Sequence, residues 1–247
     1  PYIAHVSGYL KDKFGNEWCL DSNNLYLNHG SFGARPLEIV KVQQAFREQL
    51  ESSPVDFLDR SCSHLLEEAR SSLSSFICAD ESGLGFVSNA TTGVSAAIHA
   101  IPLEAGDEIL TTDQVYNGVR QLLLKRSIDT QSSYREIKIP FPLNASEEIT
   151  SCIEEGINQN TKVLVVDHVT SASAIIFPVE QIVKICREKG ILVLIDGAHA
   201  PGMIQLDINA LQPDWYVGNL HKWVCAPLGA GFIWTDVKQR PHTHPLT

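Results

Sequence analysis

The near-continuous aliphatic runs Lys162-Val163-Leu164-Val165-Val166-Asp167 and Ile191-Leu192-Val193-Leu194-Ile195-Asp196 constrain this chain more than any other feature. A strand with one wet face alternates apolar and polar side chains, so a run that does not alternate belongs to a strand covered on both faces. Strands of that kind occur in parallel sheets with helices above and below. Shorter strand-like runs stand at Phe86-Val87-Ser88, Glu108 to Thr111, Arg135 to Ile139, Asp214 to Val217 and Gly231 to Trp234. Helical spacing fills the gaps at Val94 to Ile101, Val119 to Arg126, Ser146 to Ile157 and Pro178 to Lys189, the last ended by Gly190. This alternation predicts an α/β fold with a mostly parallel central sheet and helices on both faces.

Three regions precede or form that pattern. Residues 1–35 read as an irregular N-terminal segment with a short strand at Leu25-Tyr26-Leu27 and a glycine-bearing loop, Asn28-His29-Gly30-Ser31-Phe32-Gly33. Such a loop lets backbone approach a ligand closely, and a plain turn looks similar. Residues 36–80 read as a helical segment. Pro36 suits a first turn before Ile39, Val40, Val42, Phe46 and Leu50, and a second helix from about Phe57 to Ile77 carries Leu58, Leu65, Leu66, Ala69 and Leu73 on one face. Residues 81–247 form the α/β domain, and nothing after Pro245 resembles a completed further domain.

Of the 247 residues, 44% are hydrophobic and 19% charged, as in an ordinary globular domain, and the net charge of −10 argues against nucleic acid or an anionic membrane as the main partner. No apolar run approaches the roughly 20 residues a membrane helix needs. The six cysteines are dispersed without CxxC spacing, which fits reduced thiols in a cytoplasmic protein. His242 and His244 form a short His-x-His with no further ligand after it, so no metal site is expected.

In an open α/β sheet, ligands bind beyond the carboxyl ends of the strands. After Phe86-Val87 comes Ser88-Asn89-Ala90-Thr91-Thr92-Gly93, running into a helix; its free N–H groups and hydroxyls suit an anion, although Ser, Thr and Asn also favour N-caps. Tyr116 follows the next strand and could stack on a planar ring or merely cover a core edge. Asp167-His168-Val169-Thr170-Ser171 brings a carboxylate and hydroxyls to the same edge. The apolar run before Asp196 delivers a carboxylate that needs a cationic partner, such as a protonated ring nitrogen, a salt bridge or a helix start. Lys222 lies in a tight connection between two apolar strands, within Gly218-Asn219-Leu220-His221-Lys222-Trp223. Burial there would free its amine as a nucleophile, the alternative being a lysine that snorkels to water. Gly83-Leu84-Gly85 lacks the dinucleotide fingerprint. An anion cradle, a stacking aromatic, a buried acid and a buried amine are together what pyridoxal phosphate requires.

These motifs, in this order, resemble the class V aminotransferase family of pyridoxal-phosphate enzymes with the fold type I architecture, on its isopenicillin N epimerase-like and cysteine desulfurase-related branch. The resemblance implies that Lys222 forms the Schiff base, Asp196 pairs with the pyridine nitrogen and His199 lies near the ring or its 3-oxygen. It implies that Thr91 and Thr92 hold the phosphate with His221 and Asn219, that Tyr116 stacks on the ring and that Ser171 lies near the 3-oxygen. Tyr116, Ser171 and Asn219 depart from the histidine, asparagine and serine usual in desulfurases, which favours the epimerase-like branch. Asn28 and His29 would sit at the active-site mouth, toward the substrate. The implied activity is C–S lysis, β-elimination or epimerisation of an amino acid or derivative. Aminotransferase or cysteine desulfurase activity, or a truncated non-catalytic homologue that binds a partner, are the alternatives. The resemblance further implies a homodimer and a C-terminal small domain that this sequence lacks.

Overall fold

The computed structural model describes residues 17, 18, 20, 21 and 23–245. The reading of the first sixteen residues and the thiol of Cys19 lie outside them. Seven strands form one sheet: β1 (Leu84–Val87), β2 (Glu108–Thr112), β3 (Ser133–Ile137), β4 (Thr161–Asp167), β5 (Leu192–Gly197), β6 (Trp215–Asn219) and β7 (Gly231–Thr235), in the spatial order β1-β7-β6-β5-β4-β2-β3. Every neighbour from β6 across to β3 is parallel. β7 runs antiparallel to both β6 and β1. The sheet is therefore mostly parallel, as the aliphatic runs predict.

Among the described residues, eight α-helices accompany the sheet: α1 (His29–Phe32), α2 (Leu37–Ser52), α3 (Cys62–Ile77), α4 (Ala90–Ala100), α5 (Asn117–Thr130), α6 (Glu147–Gly156), α7 (Val179–Glu188) and α8 (Ile208–Leu211). On one face, Val163, Val165, Leu194 and Val217 pack with Val94 and Ala97 of α4 and Val119 and Leu123 of α5. On the other, Leu164, Val166, Ile195 and Tyr216 pack with Ile149 and Ile153 of α6 and Ile182 and Val183 of α7. Successive residues of β4 and β5 thus enter opposite cores, which is why neither strand alternates. Each such fully buried Val, Leu or Ile contributes about 1.5–3 kcal/mol.

Two expectations change. Leu25-Tyr26-Leu27 is not a strand: it has no ladder partner, and Leu27 is 74% exposed. The second helix starts as a π-helical stretch, Asp56–Ser61, before α3. Its apolar stripe is only partly covered, since Leu73 is buried while Leu58 and Leu66 are 58% and 44% exposed. Ile39, Val42 and Phe46 of α2 are likewise open among the described residues.

Candidate active site

The carboxyl ends of β4, β5 and β6 meet the N-terminus of α4 around a cleft of about 600 Å³, a size typical of small-molecule sites. Thr91, Thr92, Tyr116, Ser171, Asp196, His199, Asn219, His221 and Lys222 all line it. They come from segments separated by more than a hundred residues, and the sheet order alone gathers them.

Lys222 sits in the β6–β7 connection, and its Nζ lies 3.0 Å from Nε2 of His199. Burial lowers the amine below the ordinary lysine value, against the pull of the Asp196 and Asp167 charges. Burial, assisted by the Lys222 charge, pushes His199 down to about 4. A neutral His199 accepting from the amine at Nε2 carries its ring proton on Nδ1. His221 turns its Nδ1 toward the Ala230 carbonyl at 3.2 Å. Burial lowers its basicity as well.

Asp196 ends the central strand β5 and is buried, with its Oδ1 accepting the Ala198 N–H at 2.9 Å. Burial raises its pKa, and the Ala198 N–H and Lys222 oppose the rise. It requires a cationic partner at the cleft, because an uncompensated buried carboxylate is costly.

The start of α4 is built for an anion. Asn89 is the N-cap, accepting the Thr92 N–H at 2.9 Å, and the buried Asn219 accepts the Ala90 N–H at 2.8 Å. Among the described residues the Thr91 N–H and hydroxyl are left uncommitted, facing the cleft at the positive end of an eleven-residue helix. Asn219, read from the sequence as a phosphate neighbour, thus spends its carbonyl oxygen on tying β6 to α4. Tyr116 is 47% exposed at the start of α5, with its ring lying over Gly118.

Asn28 and His29 do not line the cleft; Ser31 and Phe32 of the same loop do. Asn28 donates from Nδ2 to Ser31 Oγ at 2.7 Å, and the His29 ring packs among Trp18, Tyr26 and Trp223. The glycines explain how this loop closes on the lysine. Gly33 has φ +74°, and a Cβ there would stand 1.7 Å from the His221 carbonyl oxygen. A Cβ on Gly30 would meet His199 Cε1 and Trp223 Cζ2 at 3.3 Å.

From sequence, Asp167 is read only as a carboxylate at this edge, with no role of its own. Asp167 ends β4, is buried, and leaves its Oδ1 without a partner. The signal was present: an apolar run delivers it to the sheet edge as another delivers Asp196.

Fold and cleft together define a large domain of the fold type I pyridoxal-phosphate enzymes. Residues 26–247 match the family model described as aminotransferase class-V, and the chain belongs to that family, whose cofactor is pyridoxal phosphate. It is 33% identical over 214 residues to an isopenicillin N epimerase of Streptomyces clavuligerus, covering 87% of this chain and 54% of that protein. It is 29% identical over 223 residues to an L-cysteine desulfhydrase of Arabidopsis thaliana, covering 84% of this chain and 49% of the relative. The chain therefore spans about half the length of the curated relatives it matches. Among solved structures, the complex of the cystine C–S lyase C-DES with its product cysteine persulfide superposes with a TM-score of 0.84 at 23% identity, over 89% of this chain and 59% of that one. A variant of C-DES with glycine covalently linked to its pyridoxal-phosphate cofactor superposes with a TM-score of 0.83 at 21% identity, over 96% and 61%.

Proposed function

We propose that the protein uses pyridoxal phosphate, held through Lys222, to carry out C–S lysis, β-elimination or epimerisation on an amino acid or amino-acid derivative. The observation that carries this reading is the placement of the Lys222 amine 3.0 Å from a neutral histidine, in one cleft with a buried aspartate and an open helix N-terminus. The donor set fits the cofactor at each of its functional groups. The Thr91 N–H and the α4 terminus suit the phosphate, Asp196 suits a protonated ring nitrogen, and the half-exposed Tyr116 offers an aromatic face. The cofactor supplies an electron-accepting ring that stabilises negative charge developing on the substrate.

The chain's own residues do the rest. Burial of Lys222 lowers its basicity, which would favour the free amine that the cofactor's aldehyde needs. Once the substrate amine takes its place, Lys222 is the group positioned to remove and return a proton. His199, neutral at physiological pH, orients the amine without competing for its proton. The Ala198 hydrogen bond orients the Asp196 carboxylate, and a protonated ring nitrogen would supply the cation that holds it ionised against burial.

Desulfurase chemistry needs a mobile nucleophilic thiol. No cysteine lines the cleft among the described residues, and Cys225 is held near the Trp223 carbonyl with burial raising its pKa. Among the described residues, then, no thiol is placed for desulfurase chemistry. The reading extends to a homodimer, supported by the open apolar residues Ile39, Val42 and Phe46 on α2, the kind of surface a second copy covers. A cytoplasmic location is the companion inference, supported by the free thiols of the described cysteines.

The test is spectroscopic. Full-length protein incubated with pyridoxal phosphate becomes yellow, borohydride removes the colour, and Lys222→Ala neither colours nor turns over. Assays with cysteine, cystine, cysteine conjugates and sulfoxides then sort lysis from epimerisation. A wild type that stays colourless with added cofactor overturns the reading and favours a non-catalytic homologue.

A further inference from the structure

The floor of the cleft holds two carboxylates where one ring nitrogen calls for one. Asp167 and Asp196 are direct partners in the register of parallel strands β4 and β5. Their side chains therefore leave the same face of the sheet from backbones about 4.8 Å apart. Both are buried, at 3% and 4% exposure, and both line the cleft. Asp196 has a backbone donor at Ala198. Asp167 Oδ1 has none, although its carboxyl also feels the backbone N–H groups of Tyr116 and Ser171. Those two residues are the ones at the cleft's aromatic and hydroxyl positions.

We propose that Asp167 is a positioning residue for the cofactor, the neutral member of a carboxylic acid–carboxylate pair with Asp196 that also tethers the loops bearing Tyr116 and Ser171. This rests on the pyridoxal-phosphate reading above. Two adjacent buried carboxylates cannot both stay ionised without matching cations. Lys222 is the cation that acts on both here, and cofactor binding takes over that amine. The ring nitrogen matches Asp196. Asp167 then holds its proton and donates it to the neighbouring carboxylate, fixing the Asp196 side chain and tempering its basicity. Burial and the Asp196 charge both drive Asp167 toward its protonated form. The other titratable groups around it are His199 from the β5 loop, neutral at physiological pH, and Tyr116 from the β2 loop. His168, next in sequence, pairs with Tyr216 in the opposite core.

The test compares the bound-cofactor absorbance of full-length wild type, Asp167→Asn and Asp167→Ala as pH is varied. Asn imitates the neutral acid, so its titration midpoint should stay within about 0.3 pH unit of wild type, with cofactor affinity within about threefold. Ala removes the tether and should weaken cofactor retention about tenfold or more. A midpoint moved by about one unit or more in Asp167→Asn would mean a lost negative charge and would overturn the proposal. So would Asp167→Ala matching wild type in both readouts. Carboxyl carbon NMR of aspartate-labelled wild type needs no variant: one protonated aspartate near neutral pH is expected, and its absence sinks the idea. A wild type that takes up no cofactor refutes the proposed function itself; a shifted Asn variant of a yellow protein refutes this inference alone.

Discussion

Nζ of Lys222 lies 3.0 Å from Nε2 of His199, an amine from the β6–β7 connection meeting a ring from the loop after β5. Burial drives both toward their neutral forms, His199 to about 4 and Lys222 below its ordinary 10.5. The pair is thus a lysine donor facing a neutral imidazole acceptor, not two competing cations.

The pH dependence follows. His199 is already unprotonated above about 4. It contributes no inflection to kcat/KM between about pH 5 and 8, where an unperturbed histidine would. The free fraction of Lys222 grows with pH through a midpoint below 10.5. His199→Asn should keep the cofactor and lose about 100-fold in kcat. An acid limb near 6.5 that vanishes in His199→Asn would contradict this.

Gly33 and Gly30 provide a graded test of how the N-terminal loop closes on the lysine. Gly33→Ala places a methyl 1.7 Å from backbone at His221, at a φ of +74° that side chains rarely adopt. It should cost about 3 kcal/mol or more in urea unfolding and release cofactor. Gly30→Ala meets only side-chain edges at 3.3 Å. It should cost within about 1 kcal/mol. Equal losses would show that loop closure does not depend on this contact.

The parallel sheet was legible because β4 and β5 need apolar residues at every position, and Asp196 and Lys222 stood out because charge at the end of such strands is costly. Leu25 to Leu27 misled because three apolar residues look alike whether or not a partner strand exists. Asn28 and His29 belong to the same loop that reaches the cleft, but Ser31 and Phe32 are the residues that line it. The partners of Asn219 and Asp167 were unreadable for another reason. The Ala90 N–H that Asn219 binds and the register partner of Asp167 are tertiary facts, set by strand order.

Asn219→Ala tests the first of these. It strands the Ala90 N–H in a buried position and should cost about 1–3 kcal/mol. Asn89→Ala removes an ordinary N-cap at the same helix start and should cost about 1 kcal/mol. Both should weaken cofactor retention, because both loosen the residues around the Thr91 N–H. Denaturant unfolding and cofactor release, measured on the two variants side by side, check the order. Asn219→Ala costing less than Asn89→Ala would contradict the assignment.

His168 tests the core beneath the site. It is 8% exposed, its Nδ1 lies 2.8 Å from the Tyr216 hydroxyl, and burial lowers it from 6.5 to about 4. Between those values the unfolded chain binds a proton that the folded protein does not, so stability rises with pH across the window. The contribution is complete above 6.5 and is lost as pH falls toward 4, amounting to about 3 kcal/mol from a shift of about 2.5 units. The raised carboxyls Asp167, Asp196 and Asp214 act in the opposite sense, since the folded state holds their protons longer. Wild type alone therefore mixes the two signs. The difference between wild type and His168→Gln isolates the histidine: Gln keeps a polar partner for Tyr216 but does not titrate. The stability gap between the two should be larger near neutral pH than near pH 4.5, by up to about 3 kcal/mol. A gap independent of pH would mean that His168 is not held neutral in the core.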